Sequence, residues 1–69
     1  MDAQKIGSLI RKLRVEQKMT QRELAVRIDV TQSFLSKVEN GEKEASLTNA
    51  LKLCQVLQID INEFVYQTK

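Results

Sequence analysis

Polar cap residues cut this chain into segments so short that packed helices are the architecture they suit. Thr20-Gln21-Arg22-Glu23 reads as a capping box, a threonine at the N-cap with a glutamate three residues on. Each side chain of such a pair bonds a free backbone amide of the other residue. It opens a short helix whose apolar face is Leu24, Ala25 and Ile28 and which stops near Asp29. Thr31 caps the next, over about 32–40, with Leu35 and Val38 inward and Phe34 at the margin. Gly41 ends it, as glycine past a helix C-terminus usually does. Ser46 caps a helix over about 47–57. Leu47, Ala50, Leu51, Leu53, Cys54 and Leu57 make that helix apolar over a wide arc, so it is expected to be the central core helix. Asp60-Ile61-Asn62-Glu63 opens a last short helix holding Ile61, Phe64 and Val65. Ahead of all these, Ile6, Leu9, Ile10 and Leu13 recur at helical spacing along a first helix over about 3–17.

Composition agrees. There is no proline and there are two glycines, which favours helices over a turn-rich β-fold. The 69 residues give room for one domain, 1–69, with a core over about 6–65 and a short C-terminal tail. The expected fold is all-α, a compact five-helix bundle with short connections. One cysteine and no histidine exclude an intramolecular disulfide, a histidine-containing zinc site and histidine acid–base catalysis. No nucleophile–base pair or metal cluster stands out, so no enzyme activity, metal, cofactor or small-molecule ligand is expected. No apolar run exceeds three residues, which argues against a membrane span or signal-peptide core and fits the cytoplasm. Residues 1–37 carry eight Lys/Arg against four Asp/Glu, whereas 38–69 carry three against five. The first half is therefore the one suited to an anionic partner.

The informative stretch is 21–40. Only Asp29-Val30-Thr31 separates its two helices. So tight a joint needs a small residue at the crossing, and Ala25 is that residue. Val30 is placed to plug the gap between the helices. This is a helix-turn-helix pattern, whose second helix can enter the DNA major groove.

These residues resemble the phage Cro/repressor-type (XRE) helix-turn-helix family. The likeness lies in Met19-Thr20-Gln21-Arg22-Glu23-Leu24-Ala25, the Asp29-Val30 turn and Ser33-Phe34-Leu35-Ser36-Lys37-Val38-Glu39-Asn40-Gly41. Ser46-Leu47 and Asp60-Ile61-Asn62-Glu63-Phe64 look like the openings of the family's fourth and fifth helices. The resemblance runs from about residue 6 to 65 and implies a five-helix, lambda-repressor-like DNA-binding domain that acts as a dimeric transcriptional regulator. Three positions depart from the pattern: Asp29 stands where glycine is usual, Lys43 lies between Glu42 and Glu44 in a loop that is often basic, and Ala45 replaces a common proline. Asp tolerates a left-handed backbone better than most residues, so the turn is expected to survive.

Gln32, Ser33, Ser36 and Lys37 lie opposite Leu35 and Val38 and are the expected base readers. A Gln amide pairs with adenine N6/N7, and Lys reaches guanine O6/N7 or a phosphate. The resemblance places Gln21 and Thr31 near the DNA backbone, with Gln21 also able to brace Gln32; Asn40 and Lys43 are further phosphate candidates. It also implies a structural ion pair between Arg14 and Glu39. Arg11 and Lys12 are read as solvated charges, and Cys54 as a buried structural thiol.

A single module buries only about 600–1,000 Å² of protein surface on DNA, so tight binding calls for two. A homodimer on a pseudo-palindromic operator is expected, with part of Leu57, Ile59, Ile61, Phe64, Val65 and Tyr66 at the dimer surface. Tail residues 66–69 frame that contact or fray in solvent. Repression by occupancy is the expected action, with RNA polymerase as the process blocked or recruited and no room for a sensor domain. Two alternatives stand beside it: an antitoxin that autoregulates its operon and binds a toxin protein, and a protein-interaction module that does not touch DNA. The polar N-terminal half of the third helix, without apolar anchors, argues against the second.

Overall fold

A computed structural model describes residues 2–69. It has five α-helices: α1 Ala3–Glu16, α2 Gln21–Arg27, α3 Gln32–Glu39, α4 Leu47–Leu57 and α5 Ile61–Gln67. There is no strand among the described residues. The helices start where their caps place them. Thr20 Oγ1 accepts from the Glu23 N–H at 3.0 Å while Glu23 Oε1 accepts from the Thr20 N–H at 2.9 Å, which closes the capping box. Thr31, Ser46 and Asp60 each accept a backbone N–H of the helix they head. Asp2 does the same for α1, taking the N–H groups of Gln4 and Lys5.

The helix ends are less uniform than the sequence suggests. Gly41, at φ 77°, terminates α3 with Gly41 N–H on Val38 O and Glu42 N–H on Lys37 O. That pair of bonds is the Schellman arrangement. The same pattern ends α1 at Lys18 and α2 at Asp29, and α4 turns at Gln58, all three left-handed without being glycine. As a result α1 and α3 stop one residue short of expectation, with Gln17 and Asn40 as C-caps, and α2 ends at Arg27.

α1 packs on both α3 and α4, α2 packs on α3, and α4 packs on α5. The core gathers Ile6, Leu9, Ile10, Leu24, Ala25, Ile28, Leu35, Val38, Leu53, Cys54, Leu57 and Phe64. Two expectations need correction. The apolar arc of α4 is narrower than its composition suggests: Leu47 is 74% exposed and Leu51 is exposed too, so Ala50, Leu53, Cys54 and Leu57 are the buried residues, with Val56 half-buried against the core. The tail does not fray after α5. Thr68 is fully buried; its hydroxyl donates to Phe64 O at 2.8 Å, and its carbonyl accepts the Asp2 N–H at 3.2 Å. Lys5 Nζ donates to Lys69 O at 2.6 Å, so the last residues are tied to the start of α1.

Candidate nucleic-acid interface

The joint between α2 and α3 closes through Val30 N–H on Ala25 O at 3.0 Å and Asp29 N–H on Val26 O at 3.2 Å. Asp29 takes φ 59°, the left-handed conformation the turn requires. Ala25 and Ile28 are buried, and Val30 packs half-buried against the core. The orientation of α3 is thereby set by apolar contacts at Leu35 and Val38, both buried. Other side chains of α3 point away from that buried face. Gln32, Ser33 and Lys37 are exposed, and Ser36 is half-buried. Thr31 is exposed at the head of α3, with Oγ1 already accepting the Phe34 N–H at 3.0 Å.

The far end of α3 is fixed electrostatically. The Glu39 carboxylate is fully buried as a side chain. Arg14 Nε donates to Oε2 at 2.7 Å and Arg14 Nη2 to Oε1 at 3.1 Å, a bidentate grip of the strong, directional kind. Arg14 Nη1 also donates to Met19 O at 2.8 Å, tying the α1–α2 loop to the same guanidinium. Gln21 Nε2 donates to Glu39 Oε1 at 3.1 Å. The Gln21 amide thus braces Glu39 with one of its N–H groups, rather than Gln32 as expected. Burial would push the Glu39 carboxyl up; the hydrogen bonds from Arg14 and Gln21, the Arg14 charge and the bond from Arg11 together outweigh it and hold the carboxyl below its ordinary value.

Arg11 corrects a second reading, that it is simply solvated. Its Nε lies 3.4 Å from Glu39 Oε1 and its Nη2 donates to Asn40 Oδ1 at 3.0 Å. Arg11 and Arg14 stand three apart on α1, hence on one face, and that spacing was the available signal. Gly7, which no sequence motif singles out, is buried where α1 crosses the end of α3. A lone glycine inside a helix lowers its stability, and that cost was the cue to look for a packing reason. Lys43 is exposed, with Nζ 5.8 Å from the centroid of the Phe34 ring, which places its charge beside α3.

Of the candidate dimer residues, Leu57 and Phe64 are buried in the protomer's own core and are withdrawn from that surface. Ile59 and Ile61 pack half-buried against the same core. Val65 and Tyr66 are exposed, Tyr66 at 70%. Burial, and secondarily the charge of Asp60, pushes the Cys54 thiol up, so it stays protonated. No group of three or more potential metal ligands occurs among the described residues. No helix among them is long and apolar enough to cross a membrane.

Comparison with known proteins places this arrangement. The helix-turn-helix family HTH_3 matches residues 10–64, which covers α2 through most of α5 and part of α1. Control protein C.MunI of Mycoplasma sp is 33% identical over 60 residues, spanning 86% of this chain and 81% of that protein. The type II methyltransferase M.Sau96I of Staphylococcus aureus is 37% identical over 59 residues, but this chain spans only 14% of its length. Among solved structures, the restriction-modification controller protein C.AhdI of Aeromonas hydrophila superposes with TM-score 0.84 at 35% identity, covering 91% of this chain and 96% of that one. SinR, a master regulator for biofilm formation solved in complex with DNA, superposes with TM-score 0.77 at 30% identity, covering 87% and 97%. With its five helices, its tight α2–α3 joint and these matches, the chain belongs to the HTH_3 helix-turn-helix family, the DNA-binding domain of XRE-type transcription regulators.

Proposed function

We propose that this protein binds double-stranded DNA in a sequence-specific manner, reads a pseudo-palindromic operator as a homodimer, and represses transcription by occupying it. The observation that carries the reading is the division of α3. Leu35, Val38 and Glu39 anchor it to the bundle, while Gln32, Ser33 and Lys37 stand free on its outer face with Ser36 beside them. A helix so held presents side chains to the major groove without paying to order itself on binding. In this reading Gln32, Ser33, Ser36 and Lys37 read base edges, and Gln21, Thr31, Asn40 and Lys43 meet the DNA backbone. The likeness to C.MunI and C.AhdI, both control proteins by name, and to SinR, solved with DNA, supports a regulatory role.

Dimerisation would use Val65 and Tyr66 of α5, with Leu47 and Leu51 as the exposed apolar residues of α4. It would set two α3 helices about 34 Å apart, one turn of duplex. Selection of bound sites from random DNA tests binding, specificity and half-site spacing together. The expected product is two half-sites in inverted repeat. Gln32→Ala and Lys37→Ala should each cost about 1–3 kcal/mol on the selected site and less on mixed sequence. Equal affinity of the wild type for selected and random duplexes would refute specific reading. Sedimentation of a strict monomer, free and on DNA, would refute the dimer.

A further inference from the structure

We propose that Arg11 is a positioning residue for DNA-backbone recognition: it holds the Asn40 carboxamide so that its N–H groups, rather than its oxygen, face a phosphate. This rests on the DNA-binding reading above and extends the interface to α1, outside the helix-turn-helix itself. Arg11 Nη2 donates to Asn40 Oδ1 at 3.0 Å. A guanidinium carries donors and no acceptor, so the oxygen is the one side-chain atom of Asn40 that can face it. The amide is planar, with oxygen and nitrogen on opposite sides of Cγ. Tying the oxygen to Arg11 therefore fixes the amide plane and turns the Nδ2 hydrogen that lies anti to the oxygen away from Arg11.

Asn40 is exposed and is the C-cap of α3, one residue beyond the buried carboxylate of Glu39. Arg11 also contacts that carboxylate, 3.4 Å from Nε to Oε1, and its own side chain remains 52% exposed. Its Nε thus lies against a fixed, buried anion while its Nη2 holds an exposed amide. A phosphate oxygen accepts hydrogen bonds and cannot donate them. A freely turning carboxamide presents it with a repelling oxygen in part of its orientations; one held by Arg11 does not.

A double-mutant cycle separates positioning from simple charge. Affinity is measured by titrating a mixed-sequence duplex and the best duplex selected from random DNA, with Arg11→Met, Asn40→Ala and the double variant, each checked for cooperative unfolding. Arg11→Met should weaken binding to both duplexes by about five- to tenfold in the wild-type background. In the Asn40→Ala background the same change should weaken it by less than about twofold. Equal losses in both backgrounds would overturn the proposal, since Arg11 would then act as an independent cation.

A second readout follows the side-chain amide signals of Asn40 by NMR. At saturating duplex they should move on adding the mixed-sequence duplex to the wild type and move much less in Arg11→Met, while those of Gln32 move alike in both. An Asn40 signal that moves equally without Arg11 would overturn the proposal. A wild type that binds neither duplex would bring down the DNA-binding reading and this inference with it. Failure of the inference alone leaves wild-type binding intact.

Discussion

A Cβ on Gly7 would stand 2.5 Å from the carbonyl oxygen of Glu39 and closer still to that of Val38, so α1 crosses the end of α3 backbone to backbone. Neither obstacle is a flexible side chain that could swing aside. Gly→Ala inside a helix ordinarily stabilises by about 0.5–1 kcal/mol. Here the sign reverses: Gly7→Ala forces the two helices apart and should cost about 3 kcal/mol, at the upper end for overpacking. Urea unfolding at neutral pH measures it. A gain in stability would mean the crossing is looser than described.

Arg14 and Arg11 both reach Glu39, but they are not equivalent. The Arg14 side chain is 12% exposed and grips both carboxylate oxygens, whereas Arg11 touches one of them at 3.4 Å. Removing Arg14 leaves a buried carboxylate short of its main partner, a loss of about 2–3 kcal/mol with Gln21 and Arg11 still in place. Removing Arg11 breaks one long contact from a half-exposed guanidinium and leaves Glu39 its Arg14 and Gln21 partners, so it should cost below about 1 kcal/mol. Chemical denaturation of Arg14→Ala and Arg11→Ala compares them directly; equal losses would sink the assignment of Arg14 as the lock.

Acid should loosen the same lock. The Glu39 carboxyl is held below its ordinary value in the folded chain. A depressed carboxylate contributes stability that is fully present above the unfolded value, about 4.3, and is lost as pH falls through the folded one. Stability should therefore decline below about pH 4.3 in the wild type. It should decline less steeply in Glu39→Gln, whose amide does not titrate. Glu23, held low by the Thr20 backbone N–H and hydroxyl, contributes to the same slope, so Glu23→Gln is the control. Parallel stability–pH curves for wild type and Glu39→Gln would contradict the account.

What the sequence makes legible here is local. A threonine or aspartate bonding an amide two or three residues on is decided by its neighbours, and the helices headed by Thr20, Thr31, Ser46 and Asp60 begin where those residues stand. The α2–α3 joint is similarly local, closed by bonds that span at most five residues. Exposure is decided elsewhere. Leu47 and Leu57 are the same residue type on one helix, yet one is open and the other is core, because α1 and α5 cover only one side of α4. Phe64 and Val65 divide in the same way on α5. Gly7 and Arg11 acquire their roles only when α3 is laid across α1, more than 25 residues on, and no local pattern encodes that crossing.

Gln58 tests the last illegible feature, helix ends without glycine. It sits at φ 58°, ψ 45° after α4, with the Ile59 N–H on Cys54 O at 3.0 Å. A left-handed residue with a Cβ pays about 1–2 kcal/mol in steric strain. Glycine avoids that strain but loses more chain entropy on folding, roughly 0.5–1 kcal/mol. The difference favours glycine, so Gln58→Gly should stabilise the domain by about 0.5–1 kcal/mol. In a domain of this size that raises the melting temperature by a few degrees, about 4–8 °C per kcal/mol. Gln58 is exposed and its side chain caps nothing, so no lost contact offsets the gain. Gln58→Ala provides the contrast, keeping the Cβ and hence the strain, and should leave stability nearly unchanged. If both variants lowered the melting temperature alike, the left-handed turn would not be the seat of the strain.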